Sequence, residues 1–450
     1  MEETHQKWET LIVGLGMTGL SVARYLRDRD VSYAVADSRE NPPGKDTLER
    51  EFPETPTYFG TFKNSVFEQA KQLIVSPGLS ILTPEIQHAH SKGAEIVGDI
   101  ELFVRSVHQP VVAITGSNGK TTVTMLLKLM GEKAGKRVLT GGNVGIPVLQ
   151  LLDEEEPDLY VLELSSFQLE TTYSMNAVAS VVLNISEDHL DRYDGMDSYV
   201  AAKARIYDEC QMPIVNRDDA QVSRLAGNHE SVSFGLDSPP RDCDFGLLEK
   251  EGEEWFAKGE KYLMSVGKMK APGRHNVSNA LAALALGDQA DLSMDGMLEA
   301  IRVFPGVKHR CEWIAYINEV NWFNDSKATN VGATVAALAG MTGKSVLIAG
   351  GQGKGSDFAP LPAVVHEKAR AVVLMGEDAD IIAEVLKGFP KVFFVKNMRE
   401  AVTVAAQQAQ ANDNVLLSPA CASFDMYKNF EQRGDVFVSA VRELAEVANV

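Results

Sequence analysis

The sequence has little that would tie it to a membrane, an export route or a nucleic acid. No apolar run in the 450 residues approaches the ~20 residues that a bilayer-spanning helix needs. The opening segment MEETHQKWET has neither a basic n-region nor an apolar h-region, so a cytoplasmic location is expected. Cysteine is scarce: four (Cys210, Cys243, Cys311, Cys421), with no CxxC pair. That fits a reducing compartment and argues against a disulfide framework or a structural zinc site. Positive charge is also short, with 43 Lys and Arg against 62 Asp and Glu, a formal net charge of −19. The deficit disfavours non-specific contact with nucleic acid or anionic lipid, although the same charge also serves simply to keep a protein soluble. Any anionic ligand must therefore be held by local devices such as helix N-termini, glycine loops and a few placed cations.

What is present is an ordinary globular composition, 45% hydrophobic and 23% charged, in a chain long enough for several domains. Short β-branched runs recur, each followed by a glycine-bearing turn and an amphipathic helix. Strands are expected at 10–13, 32–36, 72–75, 111–115, 159–164, 180–184, 345–349, 371–375, 391–395 and 414–418. Such alternation predicts an α/β protein with doubly wound parallel sheets, whose ligands bind at the carboxyl ends of strands. Three blocks emerge, and Pro305-Gly306 punctuates the chain before the last.

The most informative stretch follows the strand at 111–115: Thr115-Gly116-Ser117-Asn118-Gly119-Lys120-Thr121-Thr122, then a helical run to about residue 133. A strand, a glycine loop, Lys-Thr and a helix cradle phosphate on backbone amides and the helix N-terminus. Lys120 would reach the β- and γ-phosphates of ATP and the Thr121 hydroxyl would ligate magnesium. Ile114 stands where the general phosphate-loop pattern has glycine, so this is a shorter variant. Glu163 and His189 follow neighbouring strands and could converge with Thr121 on the metal. In isolation each has a plainer reading, a polar strand end and a structural histidine. Lys203, in a helical stretch, reads by itself as a solvated surface lysine.

A second glycine loop, Gly14-Leu15-Gly16-Met17-Thr18-Gly19, follows the first strand, and Asp37 ends the next. This satisfies the dinucleotide fingerprint of a nicotinamide-dependent oxidoreductase. The same geometry holds any pyrophosphate with an acid near a ribose or base, so a uridine diphosphate fits as well. Four further polar clusters sit at strand–helix junctions, around residues 273–279, 305–310, 324–330 and 418–434. Each alone could be capping chemistry.

Taken together, TGSNGKTT, GGNVGIP, LELSSFQLE, NISEDHLDRY, AAKARIYD, PGRHNVSNALAALAL, HRCE, NDSKATN and LLSPACASFDMYKNFEQRG closely resemble the Mur ligase family of peptidoglycan synthesis. The resemblance runs in order from Gly14 to Gly434, and its closing motif favours the D-glutamate-adding members. Other Mur ligases and folylpolyglutamate synthetases share the phosphate loop alone. The resemblance implies a Rossmann-like domain for a UDP-substrate (1–98), a central ATPase domain (99–306) and a C-terminal Rossmann-like domain for the amino acid (307–450). It implies a monomer that joins UDP-N-acetylmuramoyl-L-alanine to D-glutamate with ATP and magnesium, through an acyl phosphate, with domain closure excluding water.

By the same resemblance, Lys120, Glu163, His189 and Lys203 are catalytic, and Thr121, Glu163, His189 and Lys203 lie on the metal, Lys203 as a carbamate. ATP would meet Gly116, Ser117, Asn118, Gly119, Lys120, Thr121 and Thr122, with Asn276, Asn279, His309, Arg310 and Asp325 around adenine and ribose. The UDP-substrate would meet Leu15, Thr18, Asp37, Ser38, Arg39, Ser76, Pro77, Gly78, Asn143 and His189. D-glutamate would meet Thr329, Lys354, Ser423, Phe424 and Phe430.

Overall fold

Runs of buried aliphatic residues build three sheets. The computed structural model describes residues 8–186, 192–225, 227, 229–271 and 273–448. In the first sheet the strands Thr10–Val13 and Tyr33–Asp37 are buried at every position. Strands covered on both faces need helices on both sides, which parallel crossovers supply. The order is Thr57–Phe59, Tyr33–Asp37, Thr10–Val13, Gln72–Val75, Glu95–Val97, and every pair is parallel. Winding reverses at Thr10–Val13, so its carboxyl end and that of Gln72–Val75 flank a crevice.

The second sheet is ordered Lys261–Ser265, Glu253–Lys258, Phe245–Lys250, Val232–Phe234, Pro213–Asn216, Ala179–Val182, Val111–Thr115, Leu159–Glu163, Val138–Gly142. Val111–Thr115 lies between parallel neighbours on both sides, again at a reversal of winding. The strands Phe245–Lys250 and Glu253–Lys258 depart from the parallel expectation by pairing antiparallel. Their turn explains it: Glu251 (φ 56) and Gly252 (φ 81) are both left-handed, the backbone of a two-residue hairpin.

The third sheet runs Glu312–Ile317, Val320–Asn324, Asn414–Leu417, Ser345–Ala349, Ala369–Leu374, Val392–Phe394. Only the first pair is antiparallel, joined through Asn318 (φ 49) and Glu319 (φ 60). The others are parallel, with the reversal between Asn414–Leu417 and Ser345–Ala349. The chain forms two compact units: residues to Met264 with Leu281–Ala300, holding the first two sheets, and Ser265–Ala280 with the chain from Ile301, holding the third. Among the described residues no helix is long and apolar enough to cross a membrane.

Candidate functional site

The phosphate loop leaves Val111–Thr115 through Gly116 (φ 149), where a β-carbon would press on Leu183 Cβ at 3.0 Å. Gly119 (φ 84) then caps the helix Lys120–Lys133. Both turns use backbone that glycine adopts at little cost. Asn184 brackets the loop: its carbonyl accepts from Ser117 N–H (2.9 Å), its Oδ1 from Asn118 N–H (2.8 Å), and its Nδ2 donates to the Asn118 carbonyl (3.0 Å). Lys120 Nζ donates to the carbonyls of Gly116 (2.6 Å) and Ser117 (3.1 Å), lying across the loop. The amides of residues 119–122 stand at the N-terminus of a 14-residue helix, where backbone donors outnumber intrahelical acceptors and the dipole favours an anion.

Behind the loop the buried carboxylate of Glu163 ends its strand. Its Oε2 accepts from Thr121 Oγ1 (2.8 Å) and its Oε1 from Asn143 Nδ2 (2.9 Å). Thr122 is buried beside Thr121 on the helix. One carboxylate therefore joins the expected metal-ligand hydroxyl to the residue expected beside the muramoyl-alanine substrate. Lys203 is not a surface lysine: it is 2% exposed, donates from Nζ to the Gly116 carbonyl at 3.1 Å and lies over the Tyr199 ring at 4.7 Å. Burial this deep is costly for an ammonium. His189 lies outside the described residues. Among the described residues no group of three or more His, Cys, Asp or Glu forms a metal cluster.

The N-terminal glycine loop is built differently. Gly14 (φ 98) has no room for a side chain beside Ser76, whose hydroxyl donates to the Gly14 carbonyl (3.0 Å). The buried Asp37 carboxylate takes four hydrogen bonds. Leu15 N–H (2.7 Å) and Arg39 Nη2 (2.7 Å) reach Oδ2, while Arg39 N–H (2.9 Å) and Nε (2.8 Å) reach Oδ1. Burial pushes this carboxyl up, but the Arg39 guanidinium and the two amides outweigh it and hold it below the usual range. Four donors match the number of a carboxylate's acceptor sites. The acid that a nicotinamide dinucleotide would need at its ribose is thus engaged by Leu15 and Arg39, two of the four bonds coming from the exposed Arg39 side chain. Asp37 orders Leu15 and Arg39. Thr18 lies in the first turn of the helix Met17–Arg27, and Ser38 and Arg39 are exposed beside it. Pro77 and Gly78 follow Ser76 in the adjoining turn.

In the second unit the clusters gather at the carboxyl ends of the third sheet. Asp325 Oδ2 accepts from Ser418 Oγ (2.8 Å) and Oδ1 from Cys311 N–H (3.1 Å). Burial raises its pKa to about 7, against the opposing pull of Ser418, Cys311 and Arg310. His309 is left-handed (φ 64), as is Cys311 (φ 45), conformations rare for side-chain-bearing residues and frequent at functional sites. Asn324 Nδ2 lies within hydrogen-bond distance of His309 Nδ1, at 2.8 Å. Burial, with Lys308 nearby, pushes the imidazole pKa down despite Asp435 and Glu312. A β-carbon at Gly434 would overlap this ring. Asn276 is buried and Asn279 half-buried in the opening turns of Arg274–Gln289, within the same unit.

Lys354 (φ 53), Ser423 and Phe424 lie on the two loops that flank the reversal of winding. Those loops are stitched by paired bonds between Gln352 and Ala422 (3.0 and 2.9 Å). Lys354 Nζ stands 4.9 Å from the Phe424 ring, while Ser423 is buried. Phe430 opens the last helix with Lys327 Nζ 4.0 Å over its ring, and Thr329 lies on the loop after Val320–Asn324.

Several groups escaped sequence reading because their partners are distant in the chain. Asn184 grips a loop 66 residues away. Asp378 holds Gly353 N–H (2.5 Å) and Asp425 holds Glu377 N–H (2.9 Å). Arg433, 1% exposed, donates to Ser326 Oγ (3.0 Å), Ser326 O (2.8 Å) and Cys421 O (3.0 Å). It lies in the closing motif, whose residues alone do not show which segments it holds.

Comparison with known proteins covers the same ground. Three family models match in order: the Mur ligase MurD-like N-terminal domain over 8–98, the Mur ligase middle domain over 114–287, and the Mur ligase glutamate ligase domain over 309–421. A UDP-N-acetylmuramoylalanine–D-glutamate ligase of Nitrosococcus oceani is 52% identical over 97% of this chain and 96% of its own. Proteins of the same name from Pseudomonas savastanoi (50%, 97% of this chain, 98% of its own) and Coxiella burnetii (47%, 97% and 99%) are similar throughout. Among solved structures, the UDP-N-acetylmuramate–alanine ligase of Thermotoga maritima superposes with a TM-score of 0.59 at 20% identity, covering 97% of this chain and 99% of that one. A pseudomurein peptide ligase type C of Methanothermus fervidus gives 0.55 at 21% identity, covering 98% and 99%.

Proposed function

This chain belongs to the Mur ligase family, and we propose that it joins D-glutamate to UDP-N-acetylmuramoyl-L-alanine at the cost of one ATP. The observation that carries the reading is full-length relatedness, near half identity, to ligases named for that reaction. The phosphate loop by itself would leave the amino acid open.

The residues suit the chemistry. A carboxylate is a poor electrophile, so the L-alanine carboxylate first takes the γ-phosphoryl group of ATP. The resulting acyl phosphate is then attacked by the D-glutamate amine through a tetrahedral intermediate, and phosphate leaves. The helix N-terminus at Lys120 and the amides of 119–122 bind the phosphate chain, and Lys120 neutralises charge on the transferring group. The donor set Thr121 Oγ1 and Glu163 carboxylate, 2.8 Å apart, consists of hard oxygens and fits a divalent magnesium. Magnesium, when bound, would screen the phosphoryl oxygens. Lys203 joins that set only as a carbamate, which would exchange a buried cation for an oxygen ligand. His189 is its proposed neighbour.

On the substrate side, Leu15, Thr18, Asp37, Ser38, Arg39 and the 76–78 turn receive the uridine diphosphate, Asp37 also holding Leu15 and Arg39 in place. Asn143 meets the muramoyl-alanine. Asn276, Asn279, His309, Arg310 and Asp325 receive adenine and ribose. Lys354, Thr329, Ser423, Phe424 and Phe430 receive D-glutamate, the lysine pairing with a carboxylate. Domains 1–98, 99–306 and 307–450 bind the UDP-substrate, ATP and the amino acid in a cytoplasmic monomer, with Asn143 of the second reaching the UDP-substrate and His309, Arg310 and Asp325 of the third reaching ATP. Mass spectrometry of reactions offered D-glutamate, L-glutamate, meso-diaminopimelate or L-lysine tests it: product should form with D-glutamate alone. Product with a diamino acid instead would assign the chain another place in the family.

A further inference from the structure

Arg192 grips the turn that closes the N-terminal glycine loop. Its Nη1 donates to the Pro77 carbonyl and its Nη2 to the Leu79 carbonyl, each at 2.7 Å. The guanidinium is 3.8 Å from the Phe167 ring centroid, with Glu170 Oε2 at 3.5 Å from Nη2, and the side chain is 15% exposed. The turn it holds is itself closed by Leu79 N–H on Ser76 O (3.0 Å), and Ser76 Oγ bonds the Gly14 carbonyl (3.0 Å). Three hydrogen bonds in series, Arg192 to Leu79, Leu79 to Ser76 and Ser76 to Gly14, therefore link Arg192 to the glycine loop.

On its other side Arg192 begins a ladder toward the phosphate loop. Phe167 stacks on Tyr193 (5.8 Å, 17°), Tyr193 meets Tyr199 (5.4 Å), and the Tyr199 hydroxyl is 3.1 Å from Ser117 Oγ. A planar guanidinium can donate to two carbonyls in its plane while its face lies on an aromatic ring, and a lysine cannot do both.

We propose that Arg192 is a positioning residue for the nucleotide substrate, setting the 76–79 turn, and with it the Gly14 loop, in register with the phosphate loop. The inference rests on the function proposed above for these loops. It needs no contact between Arg192 and substrate.

Two measurements on full-length R192A and R192K test it. By hydrogen–deuterium exchange, peptides covering 76–83 and 14–20 should exchange faster in R192A than in wild type, with R192K intermediate and the third sheet unchanged. Unchanged exchange in both peptides would overturn the clamp whatever the substrate. By kinetics, the KM for UDP-N-acetylmuramoyl-L-alanine should rise about tenfold or more in R192A, with partial recovery in R192K, while the KM for ATP stays within about twofold. Equal rises in both KM values, or a fall in kcat alone, would overturn the positioning role. A wild type indifferent to the nucleotide sugar would instead overturn the functional reading, and the substrate half of this inference with it.

Discussion

In both glycine loops of the first unit a buried parallel strand delivers glycines into the N-terminus of a helix, and in both an acid stands at the end of a neighbouring strand. Their acids are bonded differently. Asp37 is held by the backbone amides of Leu15 and Arg39 and by the Arg39 guanidinium. Glu163 is bonded by one hydroxyl, Thr121, and one amide, Asn143, both side-chain groups that can re-pair when a ligand enters. The first acid is tied to two amides and a cation, the second to two neutral side chains, one of them on the phosphate-loop helix. Motif spacing cannot separate the two, because what differs is the bonding of a carboxylate and not its position.

The comparison can be broken at several points. Lys120→Ala should lower kcat by roughly a thousandfold or more, while calorimetric affinity for the UDP-substrate is unchanged. Retained activity would detach catalysis from the central loop. Lys203→Ala should also lose most activity, with partial rescue by acetate if a carbamate oxygen is what the site lacks. Full activity in the variant would remove Lys203 from the mechanism.

Asp325 extends the comparison to a third acid. Its folded pKa of about 7 lies above the ordinary 3.8, so the fold favours the protonated form. The stability this gives is fully present below about pH 4 and is lost as pH rises through 7. The loss is on the order of 4 kcal/mol. Tm measured from pH 5 to 8 should therefore vary less in Asp325→Asn than in wild type, and parallel profiles would contradict the assignment. The smallest effect is expected at the first acid. Asp37→Asn turns one acceptor oxygen into a donor against Leu15 N–H or Arg39. It should raise the KM for the UDP-substrate about tenfold and leave that for ATP alone.

Much of this frame was legible in the residues. Thr10–Val13, Gln72–Val75, Val111–Thr115 and Ser345–Ala349 fall where the sequence places them, because unbroken β-branched runs ending at glycine or a turn leave few alternatives. The antiparallel pair Phe245–Lys250 and Glu253–Lys258 was missed. Its strands are half solvated and carry charges that blur the pattern. Candidate site residues at strand ends stood out by their motifs, and the structure places Glu163 at the end of its strand beside Thr121. Lys203 was misread from its residues alone, since a lysine among alanines gives no sign that its helix buries it against Tyr199 and Gly116. Asn184, Asp378 and Arg192 act on segments far off in the chain, and only the sheet order brings those segments within reach.

The most direct test of the account is phosphate release from ATP with magnesium and UDP-N-acetylmuramoyl-L-alanine, with D-glutamate, with L-glutamate and without an amino acid. Release that requires both the nucleotide sugar and D-glutamate is the predicted result. Release indifferent to the amino acid, or none with this nucleotide sugar, would contradict it.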